Sequence, residues 1–155
     1  MAIIGSLMKT EMITVKPGDL VSDAARSMSQ NHVGAVLVIE NGEMKGILSE
    51  RDVVTRVVAE GKDPATTAVS EVATDVVVDV DVGTHVRKCA EMQCAMGVRH
   101  LPVTDNGKPV GILSSRDFLA YVVEGLERVI DKIGYEEALG EGEDPYDHIG
   151  GSYGK

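Results

Sequence analysis

The chain repeats itself, and that restricts it to folds in which one small unit packs against its own copy. Gly46-Ile47-Leu48-Ser49-Glu50-Arg51-Asp52 returns as Gly111-Ile112-Leu113-Ser114-Ser115-Arg116-Asp117. The same offset, without a gap, carries Asn41-Gly42 onto Asn106-Gly107, Val38 onto Val103 and Val33 onto Val98. It also carries Ala25 onto Ala90, Gly18 onto Gly83 and Val15 onto Val80. A register held from residue 8 to residue 55 marks a duplicated unit, not a recurring loop. One copy of about fifty residues buries too little apolar surface to be comfortable alone. Two copies packed sheet against sheet remove that difficulty.

Each copy predicts the same anatomy. The β-branched runs 12–16 and 76–80 read as strands. Helical patterns follow, with Asp19 and Thr84 placed as N-caps and Leu20, Ala24, Ala25 and Met28 at helical spacing. Val86, Cys89, Ala90 and Met96 repeat that spacing. Strands at 35–39 and 100–104 lead into Asn41-Gly42 and Asn106-Gly107, a hairpin signal because both central residues of a type I′ turn need positive φ. Strands return at 44–48 and 109–113, then helices at 51–60 and from about 116 to 133. The expected fold class is therefore α/β (α+β): two β-α-β-β-α repeats about a pseudo-twofold axis. The expected divisions are a first repeat with its N-terminal segment (1–60), a connector (61–71), a second repeat (72–133) and an acidic, Gly-rich, disordered tail (134–155), within which residues 136–139 suit a prolongation of the helix.

Composition narrows the function. A formal charge of −10 and a pI near 4.8 oppose a polyphosphate partner. The aromatic residues are Phe118, Tyr121, Tyr135, Tyr146 and Tyr153, which leaves no platform for stacking bases. Nucleic acid is therefore not an expected partner. No apolar stretch approaches the ~18 residues of a membrane span, and the start MAIIGSLMKTEM lacks a basic region ahead of its short apolar patch. A cytoplasmic protein without a membrane partner is expected. Cys89 and Cys94, five apart in a predicted helix, fall on different faces and suggest neither a disulfide nor a metal site. No nucleophile–base pairing and no phosphate-cradling glycine loop is evident, so an enzyme is not expected.

The doubled hairpin followed by Gly-Ile-Leu-Ser-x-x-Asp at a helix start, together with Val98-Arg99-His100-Leu101-Pro102-Val103 before the second hairpin, resembles the cystathionine-β-synthase (CBS) domain family over residues 6–133. The resemblance is to a stand-alone tandem pair, a Bateman module. It implies a cleft between the copies holding up to two adenosine-containing ligands: AMP, ADP, ATP, NAD or S-adenosylmethionine. None is an obligatory cofactor. Asp52 and Asp117 would take ribose hydroxyls, Ser49 and Ser114 ribose or phosphate, and basic residues before the hairpin the phosphate. The module would sense the ligand and act on an unknown protein partner. A structural homodimerisation module with vestigial sites is the alternative.

Elementary chemistry supplies a second role for the same residues. Ser-x-Arg-Asp at a strand-to-helix junction is a capping box, with the carboxylate at the positive end of the helix dipole; capping and ligand contact are compatible. The half-sites also differ. Arg99-His100 aligns with Gly34-Ala35, so only the second copy brings positive charge there, and phosphate is best met by charge-assisted donors. The better-equipped nucleotide site is expected to use Asp117, Ser114, Arg99 and His100, whereas Gly34 and Ala35 leave room for an adenine ring in the first site, base-tolerant and phosphate-poor. Arg116 and Arg51 occupy first helical turns, as an anion's partner or a solvent-facing cation. Thr14 aligns with Asp79, an acid unwelcome beside phosphate. The resemblance also implies a homodimer, for which Val53, Val54, Val57, Val58, Phe118, Leu119, Val122 and Val123 are candidates, although the same residues would suit an internal core.

Overall fold

A computed structural model describes residues 2–75 and 78–140. Its contacts divide the chain into a larger unit, Met1–Asp117, holding both repeats, and a smaller one, Phe118–Lys155. In the larger unit, β1 (Thr14–Val15), α1 (Val21–Asn31), β2 (Ala35–Glu40), β3 (Glu43–Ser49) and α2 (Glu50–Val53) form the first copy. Strand β4 (Thr74–Asp75) comes next, then β5 (Val80–Asp81), α3 (Val86–Met96), β6 (His100–Asp105) and β7 (Lys108–Ser114). The long helix α4 (Ser115–Gly140) opens at the end of the larger unit and supplies the described part of the smaller one.

The sheets run β1-β2-β3-β4 and β5-β6-β7. In each, a short parallel strand flanks an antiparallel hairpin. Asn41 and Gly42 have φ of 54° and 80°, and Asn106 and Gly107 50° and 78°, as a type I′ turn requires. Both hairpins shift register at equivalent places, Val38/Ile39 and Val103/Thr104. The fold is thus two CBS-like β-α-β-β-α copies.

The cores show that the copies exchange their lead-in segments. Val69 and Val72 are buried with Val21, Val36, Leu48 and Val57 of the first copy. Ile4 is buried with Cys89, Leu101, Val103 and Leu113 of the second, with Leu7 and Met8 packed beside it. The segment after Val72 continues as β4 along β3, while Lys9 and Ile112 exchange backbone hydrogen bonds, both 3.3 Å, along β7. This corrects the expected division: the N-terminal segment packs in the second copy's core and the end of the connector in the first's. The reason is burial, since neither hairpin can cover its apolar face without the other's lead-in. It also explains the recurring motif glycine. A Cβ on Gly46 would lie 2.8 Å from the Thr74 carbonyl oxygen, and one on Gly111 2.6 Å from that of Lys9.

Other boundaries move for local reasons. Strand β1 is shorter than 12–16. The 76–80 strand resolves to β5 at Val80–Asp81, with positions 76 and 77 outside the described residues. Helices α1 and α3 are capped at Leu20 and His85 without a side-chain bond. The Asp19 carboxylate instead accepts from the Lys16 amide at 2.8 Å and closes the preceding turn. Helix α2 passes into a π-helical stretch, Val54–Val58, where Thr55 Oγ1 back-bonds to the Arg51 carbonyl at 2.7 Å among crowded β-branched side chains. Helix α4 runs through Gly134 to Gly140, correcting a tail drawn from 134. One interior glycine costs only about 1 kcal/mol, and a Lys132–Glu136 pair bridges it. The rest of the expected tail, with Tyr146, His148 and Tyr153, lies outside the described residues. Cys89 is buried and Cys94 exposed.

Candidate functional site

Both Gly-Ile-Leu-Ser-x-x-Asp segments end a strand at a serine and turn at once into a helix. At the first, the Ser49 amide and hydroxyl each donate to Asp52 Oδ2 at 2.8 Å, and the Asp52 amide donates back to Ser49 Oγ at 3.3 Å. At the second, the Ser114 amide donates to Asp117 Oδ2 at 3.0 Å, its hydroxyl donates to the same oxygen, and the Asp117 amide returns to Ser114 Oγ at 3.2 Å. These are complete capping boxes. Each consumes one carboxylate oxygen, so what the site can do depends on the other.

The two remaining oxygens have different neighbours. Asp52 Oδ1 accepts from Thr74 Oγ1 at 3.2 Å and has Arg56 at 3.7 Å. Among the described residues, Asp117 Oδ1 has the Lys9 ammonium, at 3.8 Å, and accepts no hydrogen bond. Lys9 is the repeat counterpart of Thr74. One carboxylate is tied down by a neutral hydroxyl, and the other stands beside a cation with room for a hydroxyl donor.

The clefts they line differ accordingly. The larger, about 750 Å³, has an apolar wall of Ile13, Ala25, Met28, Val33, Val53 and Val54. Its polar lining includes Lys9, Arg99, His100, Ser114, Arg116 and Asp117 together with Glu11 and Glu50, and Gly34 and Ala35 also line it. The smaller, about 270 Å³, holds Ser49, Asp52 and Thr74, and shares Arg99 and His100 with the larger. Small-molecule sites typically occupy ~300–1,000 Å³, a range only the first cleft reaches.

The structure therefore gathers Asp117, Ser114, Arg116, Arg99, His100, Gly34 and Ala35 in one cleft, and Asp52 and Ser49 in the other; Thr14 lines neither. The clefts mix the copies, which corrects the expected half-sites: Gly34 and Ala35, expected in the first site, line the cleft of Asp117 and not that of Asp52. The residue before β2 and the first residue of β6 meet at the pseudo-twofold axis, where a Cβ on Gly34 would stand 3.4 Å from the His100 ring. Asp79, the counterpart of Thr14, accepts from Thr104 Oγ1 at 2.6 Å. Lys9, Glu11, Glu50 and Thr74 were not singled out in the sequence; the repeat register, extended down to Lys9 opposite Thr74, is the signal that points to two of them.

The larger cleft carries both signs of charge. Arg99 lies 3.7 Å from Glu50, while Arg116 makes no ion pair among the described residues. Burial, aided by the Arg99 charge, holds the His100 imidazole below its ordinary value, against the opposing pull of Glu50 and Asp117. It is therefore a neutral hydrogen-bonding ring at neutral pH that a newly bound anion would make more basic. No cluster of metal-ligating side chains occurs among the described residues. Apolar side chains, three cationic ones and a carboxylate with one open oxygen suit an amphipathic anion that also bears hydroxyls.

A family model for the CBS domain matches residues 4–59 and 69–124. The chain is 33% identical over 117 residues to the CBS domain-containing protein YhcV of Bacillus subtilis, covering 76% of this chain and 83% of that one. Among solved structures, a CBS-domain protein from Agrobacterium tumefaciens superposes with a TM-score of 0.72 at 28% identity, covering 77% of this chain and 98% of that one. The hexameric CBS-CP12 protein from bloom-forming cyanobacteria superposes at 0.73 and 26% identity, over 91% and 84%.

Proposed function

Because this chain belongs to the CBS-domain family and carries two CBS domains in tandem, we propose that it is a regulatory module that binds an adenine nucleotide in its larger cleft and acts through a protein partner. The observation that carries this reading is Asp117 Oδ1, which accepts no hydrogen bond among the described residues, beside Lys9 in a cleft that apolar side chains also line. A carboxylate oxygen accepts the paired hydroxyls of a ribose, Arg99, Arg116 and Lys9 meet phosphate, and Ile13, Met28 and Val33 cover a base. AMP, ADP, ATP, NAD and S-adenosylmethionine all share the ribose. Regulation follows if the ligand binds two arrangements of the module unequally. The role is one of binding and signalling, not turnover, in the cytoplasm; no helix among the described residues is long and apolar enough to cross a membrane.

Titration calorimetry with those five ligands tests the reading. Saturable binding of at least one, at a single dominant site, is the expected result; no heat and no thermal shift with any of them would remove it.

A second reading, a structural self-association module with vestigial sites, is favoured by the smaller cleft, where Thr74 occupies the oxygen a ribose would need. Self-association belongs to both readings. On the π-helical stretch after α2, Val57 is wholly buried in the core, but Val54 and Val58 are 59% and 67% exposed, and the cyanobacterial CBS-CP12 protein is hexameric. A homodimer is the simplest assembly.

A further inference from the structure

The smaller cleft is a poor place for a nucleoside. At about 270 Å³ it falls below the ~300–1,000 Å³ usual for small-molecule sites. Asp52 has no oxygen left for a ribose, since Ser49 and Thr74 already donate to both of them. Its charge points to another ligand. Arg51 and Arg99 line it against a single carboxylate, that of Asp52, with His100 beside them. The larger cleft instead balances Lys9, Arg99 and Arg116 with Glu11, Glu50 and Asp117. A concave site with a cationic excess concentrates anions, here on a chain whose net charge is −10.

The two guanidiniums come from opposite copies, and neither is firmly held. Arg51, on α2 of the first copy, donates from Nη1 to the Gly97 carbonyl of the second at 3.4 Å, a long bond that leaves its other N–H donors uncommitted. Arg51 makes no ion pair among the described residues. Arg99 lies 3.7 Å from Glu50 with both side chains half-exposed or more, an arrangement that contributes little and that a better-placed anion displaces.

We infer that the smaller cleft binds a free tetrahedral oxyanion, inorganic phosphate being the type, between Arg51 and Arg99. The planar fork of a guanidinium matches two oxygens of such an ion. Arg99 lines both clefts, and one fork cannot serve two phosphates at once. Phosphate in the smaller cleft therefore weakens nucleotide binding in the larger, and the nucleotide weakens phosphate binding by the same factor. That antagonism rests on the nucleotide reading above; the anion site itself does not.

Titration calorimetry of the full chain with inorganic phosphate, in a chloride buffer at constant ionic strength, tests both parts. Saturable binding of a single phosphate is the expected result. Arg51→Gln weakens it about tenfold or more, the loss expected for charge-assisted hydrogen bonds. Arg87→Gln removes the same charge from an exposed ion pair on α3 and stays within about twofold. Thermal unfolding of each variant without phosphate separates loss of the site from loss of the fold. Phosphate also weakens AMP binding, and Arg51→Gln relieves that effect. No saturable phosphate binding, or binding indifferent to Arg51→Gln, overturns the site whatever the nucleotides do. Arg51-dependent phosphate binding with no nucleotide binding upholds the site and removes only the reading of the larger cleft. ATP binding tighter than AMP through Arg51, without any phosphate binding, makes the smaller cleft an extension of the nucleotide site and overturns the proposal. An AMP affinity that saturating phosphate leaves unchanged overturns the sharing of Arg99.

Discussion

Thr74 donates to Asp52 at 3.2 Å, and where the second copy's counterpart of that pair stands, Lys9 faces Asp117 at 3.8 Å. A neutral hydroxyl and an ammonium thus occupy the same place in a duplicated frame. The first fills an acceptor; the second adds a positive charge and leaves the acceptor open. The inequality of the two clefts follows from this exchange more than from the motifs, which are nearly identical.

Asp117→Asn and Asp52→Asn should therefore differ. Hydrogen bonds to a charged group contribute ~1.5–3 kcal/mol, so Asp117→Asn is expected to weaken nucleotide binding about tenfold or more, and Asp52→Asn less than about threefold. Calorimetry on variants first shown to unfold normally in urea measures this. Equal losses would mean that the larger cleft is not the preferred site.

Lys9→Thr converts the surroundings of Asp117 in the larger cleft into a copy of those of Asp52 in the smaller one. Nucleotide affinity is expected to fall and to become less sensitive to salt, because one of the cationic contacts screened by ions is removed. Titrations at two ionic strengths read both effects; an unchanged salt dependence would take Lys9 out of the site.

The motif glycines make room for the exchanged lead-ins. Gly111→Ala and Gly46→Ala should each cost about 1–3 kcal/mol, the usual penalty for overpacking, since the added carbon meets backbone oxygen at 2.6 and 2.8 Å. Gly18→Ala, with nothing within 4 Å, should stay within ±0.5 kcal/mol. Urea unfolding of the three variants compares them directly.

His100 gives a pH dependence of known sign. Its folded value lies below the ordinary 6.5 because burial and Arg99 oppose the charged ring, so the unfolded chain binds the proton more readily. The stability contribution is whole above about pH 6.5 and is lost as pH falls through the folded value. An NMR titration should find the ring below 6.5 in the free protein and shifted upward when a phosphate-bearing ligand fills the cleft. A ring titrating at or above 6.5 without ligand would contradict this.

Much of the fold is legible because it is local. Asn41-Gly42 and Asn106-Gly107 name their turn through φ alone, and Ser-x-x-Asp names its cap through two hydrogen bonds within four residues. The exchange of lead-ins is harder to read, since Ile4 and Val69, Leu7 and Val72, Met8 and Ala73, Lys9 and Thr74 correspond without one identity among them. The membership of each cleft depends on Gly34 meeting His100 at the axis, a contact between distant segments that no periodicity encodes. Gly134 marks only a change of composition, and Glu136 and Glu137, good helix formers, carry α4 past it.

The swapped lead-ins also decide how the protein would come apart. A protease cutting the exposed stretch between Gly61 and Thr66 severs the only covalent tie between the copies, yet each fragment keeps part of the other's interior: Ile4 stays wedged under one hairpin, Val69 and Val72 under its neighbour. The nicked molecule should elute as one particle until denatured. By the same token, a gene trimmed to either half would encode a protein with a hole where its sibling's segment belonged.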